Sequence, residues 1–366
     1  MTDKALIRAE ATRLRGFFET KGAQVVEADI LQPAGTLLDL YGEDIRGRAF
    51  VSHDPMRGEV MLRPDFTVPV VQMHMAEGAE PARYTYMGEV FRAQEQVAER
   101  APEYFQVGYE VFDRDAPIDA DAEVFALIRG ALEPLSLRAA TGDMGLLLAA
   151  VRGLKTTDRR KAALLRHIWR PRRFRALLDR FAGRAPLPEG REALLAKEDP
   201  MIDAGPQIGL RSAAEISERV DALREDAAAA AISTQEVELL DDLLALREST
   251  SNVLEHLRDI AVDMPAIADA VDRLEARAEA LVKRGVNVDT LDFEGSYGRT
   301  SMEYYDGFVF GFYAEARPDL PPVATGGRYD ALTRVLGNQN GSGEIPAVGG
   351  VIRPELLLEL GAGDKA

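Results

Sequence analysis

Strand-forming sequence stands at both ends of this chain, and a long helical stretch separates the two. Before residue 142, apolar and polar positions alternate in "RYTYMGEVFRAQ" and "EYFQVGYEVFD", the two-residue period of a strand. From about 143 to 285 the chain turns acidic, alanine-rich and helix-periodic, with a capping box at Ser233 to Glu236. Pro-rich breaks at 186–190 and near Pro200 divide it. From 287 strand character returns in "VNVDTLDF", "SMEYYDGFVFGFYAE" and "PPVATGG". This order predicts an α+β chain: residues 1–142 and 287–366 form one unit around an antiparallel sheet, and 143–286 are a helical insertion. Antiparallel-looking strands with helices outside them argue against a doubly wound sheet.

The ends carry local signals. "MTDKALIRAEATRLRGFFETKG" is an amphipathic helix with Ile7, Ala11, Leu14 and Phe18 on one face. Residues 24–32 read as one short strand running to Pro33, and 48–64 as two strands around a turn at Asp54 to Gly58. Thr67 is the expected cap of the helix "TVPVVQMHMA", with Pro69 in its first turn, and Asp119 that of "DADAEVFALIRGALEPL". The polar loop 94–102 between two strands is long enough to have a task. "RYDALTRVLG" reads as a helix, "GNQNGSGE" as a flexible loop and "IRPELLLEL" as the last helix.

Composition removes several classes of function. With 366 residues, 46% of them hydrophobic, a substantial core is affordable. The absence of cysteine rules out disulfides, thiolate nucleophiles and Cys-based zinc sites, and fits a reducing compartment. Four histidines, none at ligand spacing with another, predict no metal cofactor. Acidic residues outnumber basic ones 61 to 44, which disfavours a nucleic-acid grip. The dense basic run "RRKAALLRHIWRPRRFR", residues 159–175, reads as the solvated face of a helix pair, with RNA binding as the alternative. The N-terminus lacks the apolar core of a signal peptide, and no apolar run approaches the roughly 20 residues that span a bilayer. A soluble, cytoplasmic protein is expected.

The strand 104–111 points to a ligand. Tyr104, Gln106, Gly108 and Glu110 share one face; Phe105, Val107, Tyr109 and Val111 share the other, which looks like core. Gly108 leaves a gap between a carboxamide and a carboxylate. Glu110 accepts, and Gln106 accepts or donates, so the gap suits a small ligand with an ammonium or imidazole N–H. The alternative is a solvent-exposed strand face. "LRPDFT" adds Asp65 and Thr67, "EYYDGFVF" adds Tyr305, and "ATGGRYDAL" adds Gly326, Gly327, Arg328 and Tyr329.

In this order and spacing these segments resemble the catalytic core of histidyl-tRNA synthetase, a class II aminoacyl-tRNA synthetase, over most of 1–142 and 287–360. "LRPDFT" answers that family's Leu-Arg-Pro-Glu-Gly-Thr. Arg92, Arg100 and "YFQVGYE" answer its second class motif, "MEYY" its Leu-Asp-Tyr-Tyr, and "GGRYD" its Gly-Gly-Arg-Tyr-Asp. The resemblance implies that Asp65, Thr67, Arg92, Gln106, Glu110, Tyr305 and Tyr329 line a histidine pocket. It implies that Arg92 and Arg100 mark a vestigial nucleotide site.

The departures matter as much. The family's third motif ends in Gly-x-Glu-Arg, whose arginine clamps ATP; here "RPEL" puts Leu356 at that position. The arginine that assists activation is replaced by Thr300, with Arg299 one residue off, a shift that in a strand reverses the face. The family continues into an anticodon-binding domain, whereas this sequence stops at 366. A core so altered is similar to the regulatory subunits of short-form ATP phosphoribosyltransferase. That resemblance implies a non-catalytic protein that partners the short catalytic subunit, takes part in histidine feedback in the first step of histidine biosynthesis, and reads no tRNA. Class II resemblance also implies a homodimer within the hetero-oligomer, through "QVVEADI" and "LLDLY". The competing expectation is an enzyme that activates an amino acid with ATP for a non-tRNA acceptor.

Overall fold

Strands from both ends of the chain meet in one sheet. The computed structural model describes residues 3–35, 47–93, 101–133, 135–202, 205–206, 208–300, 303–340 and 343–363. Its strands are β1 (Gln24–Val25), β2 (Leu31–Pro33), β3 (Val51–Asp54), β4 (Gly58–Leu62), β5 (Ala82–Phe91), β6 (Glu103–Phe112), β7 (Arg138–Asp143), β8 (Arg247–Ser249), β9 (Asp292–Glu294), β10 (Phe308–Tyr313), β11 (Ala324–Arg328) and β12 (Ala347–Ile352). The large sheet runs β1-β5-β6-β12-β11-β10-β7-β9-β8, and β2-β4-β3 form a small one. From β5 to β7 every neighbouring pair is antiparallel; β1 joins β5, and β9 joins β7, in parallel. The α+β class is therefore observed, with strands of the first and last thirds of the chain adjacent at β6 and β12.

Helices cover one face of this sheet. Helix Lys4–Glu19 buries Ile7, Ala11, Leu14 and Phe18, the predicted stripe. These join Phe105, Val107, Tyr109 and Val111 of β6, and Phe125 and Ile128 of helix Pro117–Ala131, in one apolar cluster. The alternation read in β6 is thus the alternation of its two environments. The ligand-facing side is nonetheless enclosed, since Gln106 and Glu110 are each 1% exposed.

The middle segment is mostly helical. The capping box at Ser233 and Glu236 opens helix Thr234–Ala245, and the same S-x-x-E spacing makes a second box at Ser212 and Glu215. Two pieces of the segment share the sheet's packing. β8 edges the sheet against β9. Helix Ala268–Lys283 lies on helix Pro117–Ala131, where buried Arg277 bridges Asp121 at 3.3 Å and Asp143 at 2.5 Å. The basic run forms the helix pair Asp158–Arg166 and Pro171–Phe181. Its Arg159, Arg160, Arg170 and Arg175 pair with Glu225, Asp226, Glu303 and Asp241. These four guanidiniums of the run are engaged within the chain.

Several local expectations are corrected. Residues 24–32 are not one strand: the chain leaves β1 in the large sheet to enter β2 in the small one. Thr67 is not a cap. Phe66 holds the N-cap position of helix Thr67–Glu77, and the Thr67 hydroxyl turns to a buried carboxylate instead. Asp119 is not a cap either. Pro117 opens its helix, Asp113 takes the N–H groups of Asp115 and Ala116, and Asp119 pairs with Arg284. Of "VNVDTLDF" only Asp292 and Phe293 are strand, continuing to Glu294, because Asn287 Oδ1 accepts from Asp289 N–H and turns the chain. Helix Asp330–Asn340 runs through Gly337 into the expected loop.

Candidate functional site

β6 and its neighbours build the site around Glu110. The gap opposite Gly108 is filled by its cross-strand partner Tyr86, whose ring lies where a Cβ at 108 would fall 2.1 Å away. Tyr86 donates to Glu110 Oε1 at 2.7 Å, Thr67 to the same oxygen at 3.2 Å, and Tyr329 to Oε2 at 2.6 Å. Three hydroxyls from β5, from helix Thr67–Glu77 and from the residue after β11 thus converge on one carboxylate. Burial pushes Glu110 up to about 7; the hydroxyls pull against it and the Asp65 charge adds to it. Tyr86 and Tyr329 are held well above the ordinary tyrosine range by the same burial and by Glu110. Sequence reasoning missed Tyr86. Its signal was Gly108, whose missing side chain admits a large cross-strand neighbour.

In front of this cluster lies a small pocket lined by Asp65, Thr67, Arg92, Gln106, Tyr304 and Tyr305, with β11 and β12 backbone at one side. Asp65 accepts from Tyr304 at 3.4 Å, and Arg92 Nη2 lies 3.5 Å from it. Arg92 is held in place by Nε donating to Pro64 O at 2.7 Å. Burial, Glu110 and Asp65 raise the Tyr305 hydroxyl, so it stays a donor. Gln106 Oε1 is buried and has no hydrogen-bond partner among the described residues. Of the predicted set, Asp65, Thr67, Arg92, Gln106 and Tyr305 meet in this pocket. Glu110 and Tyr329 stand behind it, bonded to each other, so the carboxylate expected to face the ligand is already engaged by three hydroxyls. Arg100 lies outside the described residues. The pocket opens into a wider cleft of about 700 Å³ that shares Arg92, Tyr305, Thr325 and Arg353 with it, and reaches Arg299 and Pro171.

The chain matches the Histidyl-tRNA synthetase family profile over residues 2–199 and 211–357. An ATP phosphoribosyltransferase regulatory subunit of Brucella anthropi is 32% identical over 357 residues, spanning 92% of this chain and 93% of its own. That of Brucella canis is 32% identical over 372 residues, spanning 96% of each. The chain belongs to the ATP phosphoribosyltransferase regulatory subunit family. Two solved structures share its fold. An ATP phosphoribosyltransferase regulatory subunit/histidyl-tRNA synthetase from Bacillus halodurans is 22% identical with a TM-score of 0.68, covering 98% of this chain and 81% of its own. A histidine–tRNA ligase subunit from Alicyclobacillus acidocaldarius is 24% identical with a TM-score of 0.62, covering 100% and 96%.

In this member of the regulatory-subunit family the two departures have structural content. Leu356, in the place of the ATP-clamping arginine, packs against the apolar cluster beneath the sheet. Its neighbour Glu355 accepts from Phe105 N–H at 2.8 Å and ties the last helix, Pro354–Gly363, to β6. Arg299 lies in a turn, not a strand, so the expected reversal of faces does not apply. Its guanidinium is drawn away by the middle segment: Nε donates to Ile168 O at 2.9 Å, and the group stacks over Phe174 at 4.8 Å. Burial lowers its pKa to about 10.

Proposed function

We propose that this chain is the non-catalytic regulatory subunit of an ATP phosphoribosyltransferase, that it assembles with a separate catalytic subunit, and that its pocket holds free L-histidine as the feedback ligand. The observation that carries the ligand is Gln106. A buried carbonyl oxygen with no donor costs free energy until something donates to it. It stands in one pocket with the Asp65 carboxylate and the Thr67 hydroxyl, an acceptor set that suits an α-ammonium. The imidazole then falls toward Tyr305 and the Glu110 cluster, and Arg92 is the cation for the carboxylate. A sensor of this kind needs only a different affinity in two states of the assembly.

We further propose residues 1–142 and 287–366 as the pocket-bearing unit, with 143–286 inserted, and a cytoplasmic protein that reads no tRNA. Among the described residues no helix is long and apolar enough to cross a membrane. For the homodimer, exposed Val25, Ile30 and Leu31 in or beside the segment "QVVEADI", with exposed Phe50 and Val51 at the start of β3 in the same small sheet as β2, support a contact surface there. The segment "LLDLY" lies outside the described residues. The second reading, amino-acid activation with ATP, draws support from Arg92, but Leu356 and the diversion of Arg299 weigh against it.

Calorimetry with L-histidine, on the subunit alone and on the complex co-purified with the catalytic subunit, tests the proposal. Saturable heat in either is expected. Failure to co-purify, or no heat in both, overturns it.

A further inference from the structure

Among the places where the connection between β9 and β10 meets the middle segment is the joint between helices Asp158–Arg166 and Pro171–Phe181. Two polar contacts cross there in opposite senses. Arg299, from the connection, donates to the joint's Ile168 carbonyl oxygen at 2.9 Å and stacks on Phe174. Arg170, from the joint, pairs with Glu303 of the connection at 3.2 Å and 3.3 Å to its two oxygens. Glu303 is followed directly by Tyr304 and Tyr305, both in the pocket wall. Tyr304 reaches Asp65, and its ring meets that of Tyr305 edge-on at 5.0 Å. The joint also borders the cleft through Pro171.

This fastening is made of parts that yield. Arg299 is 6% exposed, yet among the described residues its guanidinium's one hydrogen bond runs to a neutral carbonyl, and its Nη2 is buried without a partner there. A buried cation without a carboxylate is held by geometry more than by energy. The Arg170–Glu303 pair is part-exposed on both sides, so it is modest in strength. Between Ile168 and Arg170 stands Trp169, the chain's single tryptophan, half-buried against the core with its indole N–H unpartnered among the described residues.

We propose that Arg299 and Arg170 act as positioning residues that couple the pocket wall at Tyr304 and Tyr305 to the joint at 168–170, so that a ligand seated against Tyr305 shifts the helix pair of the middle segment. For the identity of that ligand this rests on the histidine reading. The coupling gives the basic run a role: it is the far side of the pocket wall. Contiguous contacts carry a coupling only when both ends bias one equilibrium, and here the same short connection supplies the wall and the fastening.

Trp169 emission reads the joint directly. In the wild-type protein, L-histidine is expected to change its intensity or wavelength with the same midpoint that calorimetry gives. Arg170→Gln and Arg299→Lys are expected to cut that change about threefold or more while histidine heat remains saturable, a split that a purely structural role would not produce. The double variant Arg170→Glu, Glu303→Arg restores the pair in reverse and is expected to recover the signal. Histidine heat with no Trp169 response in the wild type overturns the coupling, as does an undiminished response in both single variants. If histidine gives no heat, the histidine reading fails on its own, and the fastening is decided without ligand by acrylamide quenching. Faster quenching of Trp169 in both single variants than in the wild type supports it, and unchanged quenching overturns it.

Discussion

Glu110 and Gly349 face each other across β6 and β12, and the Glu110 carboxylate occupies the space that a side chain at 349 would need. A Cβ built there would lie 1.4 Å from Oε2, the oxygen that accepts from Tyr329. The carboxylate is the end of a side chain, but three hydroxyls fix it, so it has nowhere to retreat without losing them. Gly349→Ala is therefore expected to destabilise the fold by about 1–3 kcal/mol, seen as a lower thermal midpoint. An unchanged midpoint would show that the cluster is looser than its hydrogen bonds imply.

Glu110 also sets a pH dependence. Its folded pKa of about 7 stands above the ordinary 4.5. A raised carboxyl pKa means that the folded state holds its proton more tightly than the unfolded state. The contribution to stability is full below pH 4.5 and is lost as pH rises through 7. The difference corresponds to at most about 3 kcal/mol. Glu110→Gln is expected to flatten the fall in urea midpoint across that window. A variant whose midpoint falls as steeply as the wild type assigns the dependence to another group, and Asp306, also pushed up to about 7 by burial, is the next to replace.

Gln106 predicts a selective loss. If its unpartnered oxygen receives the ligand's ammonium, Gln106→Ala should weaken L-histidine by about 1–3 kcal/mol, roughly five- to a hundredfold. Imidazole-lactate, which carries a hydroxyl in place of the ammonium, should bind the wild type weakly and lose less on the same substitution. Equal losses for both ligands by calorimetry would place the ammonium elsewhere. Replacing Gln106 is a cleaner probe than replacing Glu110 by Ala, because the latter also strands three buried hydroxyls.

Histidine-dependent ATP–pyrophosphate exchange should be absent. Leu356→Arg should not restore it, since Arg299 remains held at Ile168 and groups that act as a unit are strongly non-additive. Robust exchange by the unmodified protein would favour the activating enzyme over the regulator.

Much of the fold was legible in short stretches. The stripe Ile7, Ala11, Leu14, Phe18 is buried as its spacing requires, and β6 divides its two faces as alternation requires. The caps read at Thr67 and Asp119 were wrong, because a hydroxyl or carboxylate suited to a cap is as well suited to a partner from another element. Thr67 took Glu110 and Asp119 took Arg284.

The amino-acid order by itself determined which side chains share a face and that strands at the two ends flank a helical middle. Those are properties of period and order, readable within one element at a time. Only the tertiary structure decided that Tyr86 fills the space at Gly108, that Tyr86, Thr67 and Tyr329 close on Glu110, and that Arg299 belongs to Ile168 and Phe174. The reason is physical. The partners of Glu110 come from positions 24, 43 and 219 residues away, and Ile168 is 131 from Arg299. At such separations, register and packing between elements choose the neighbour, and no local period records the choice.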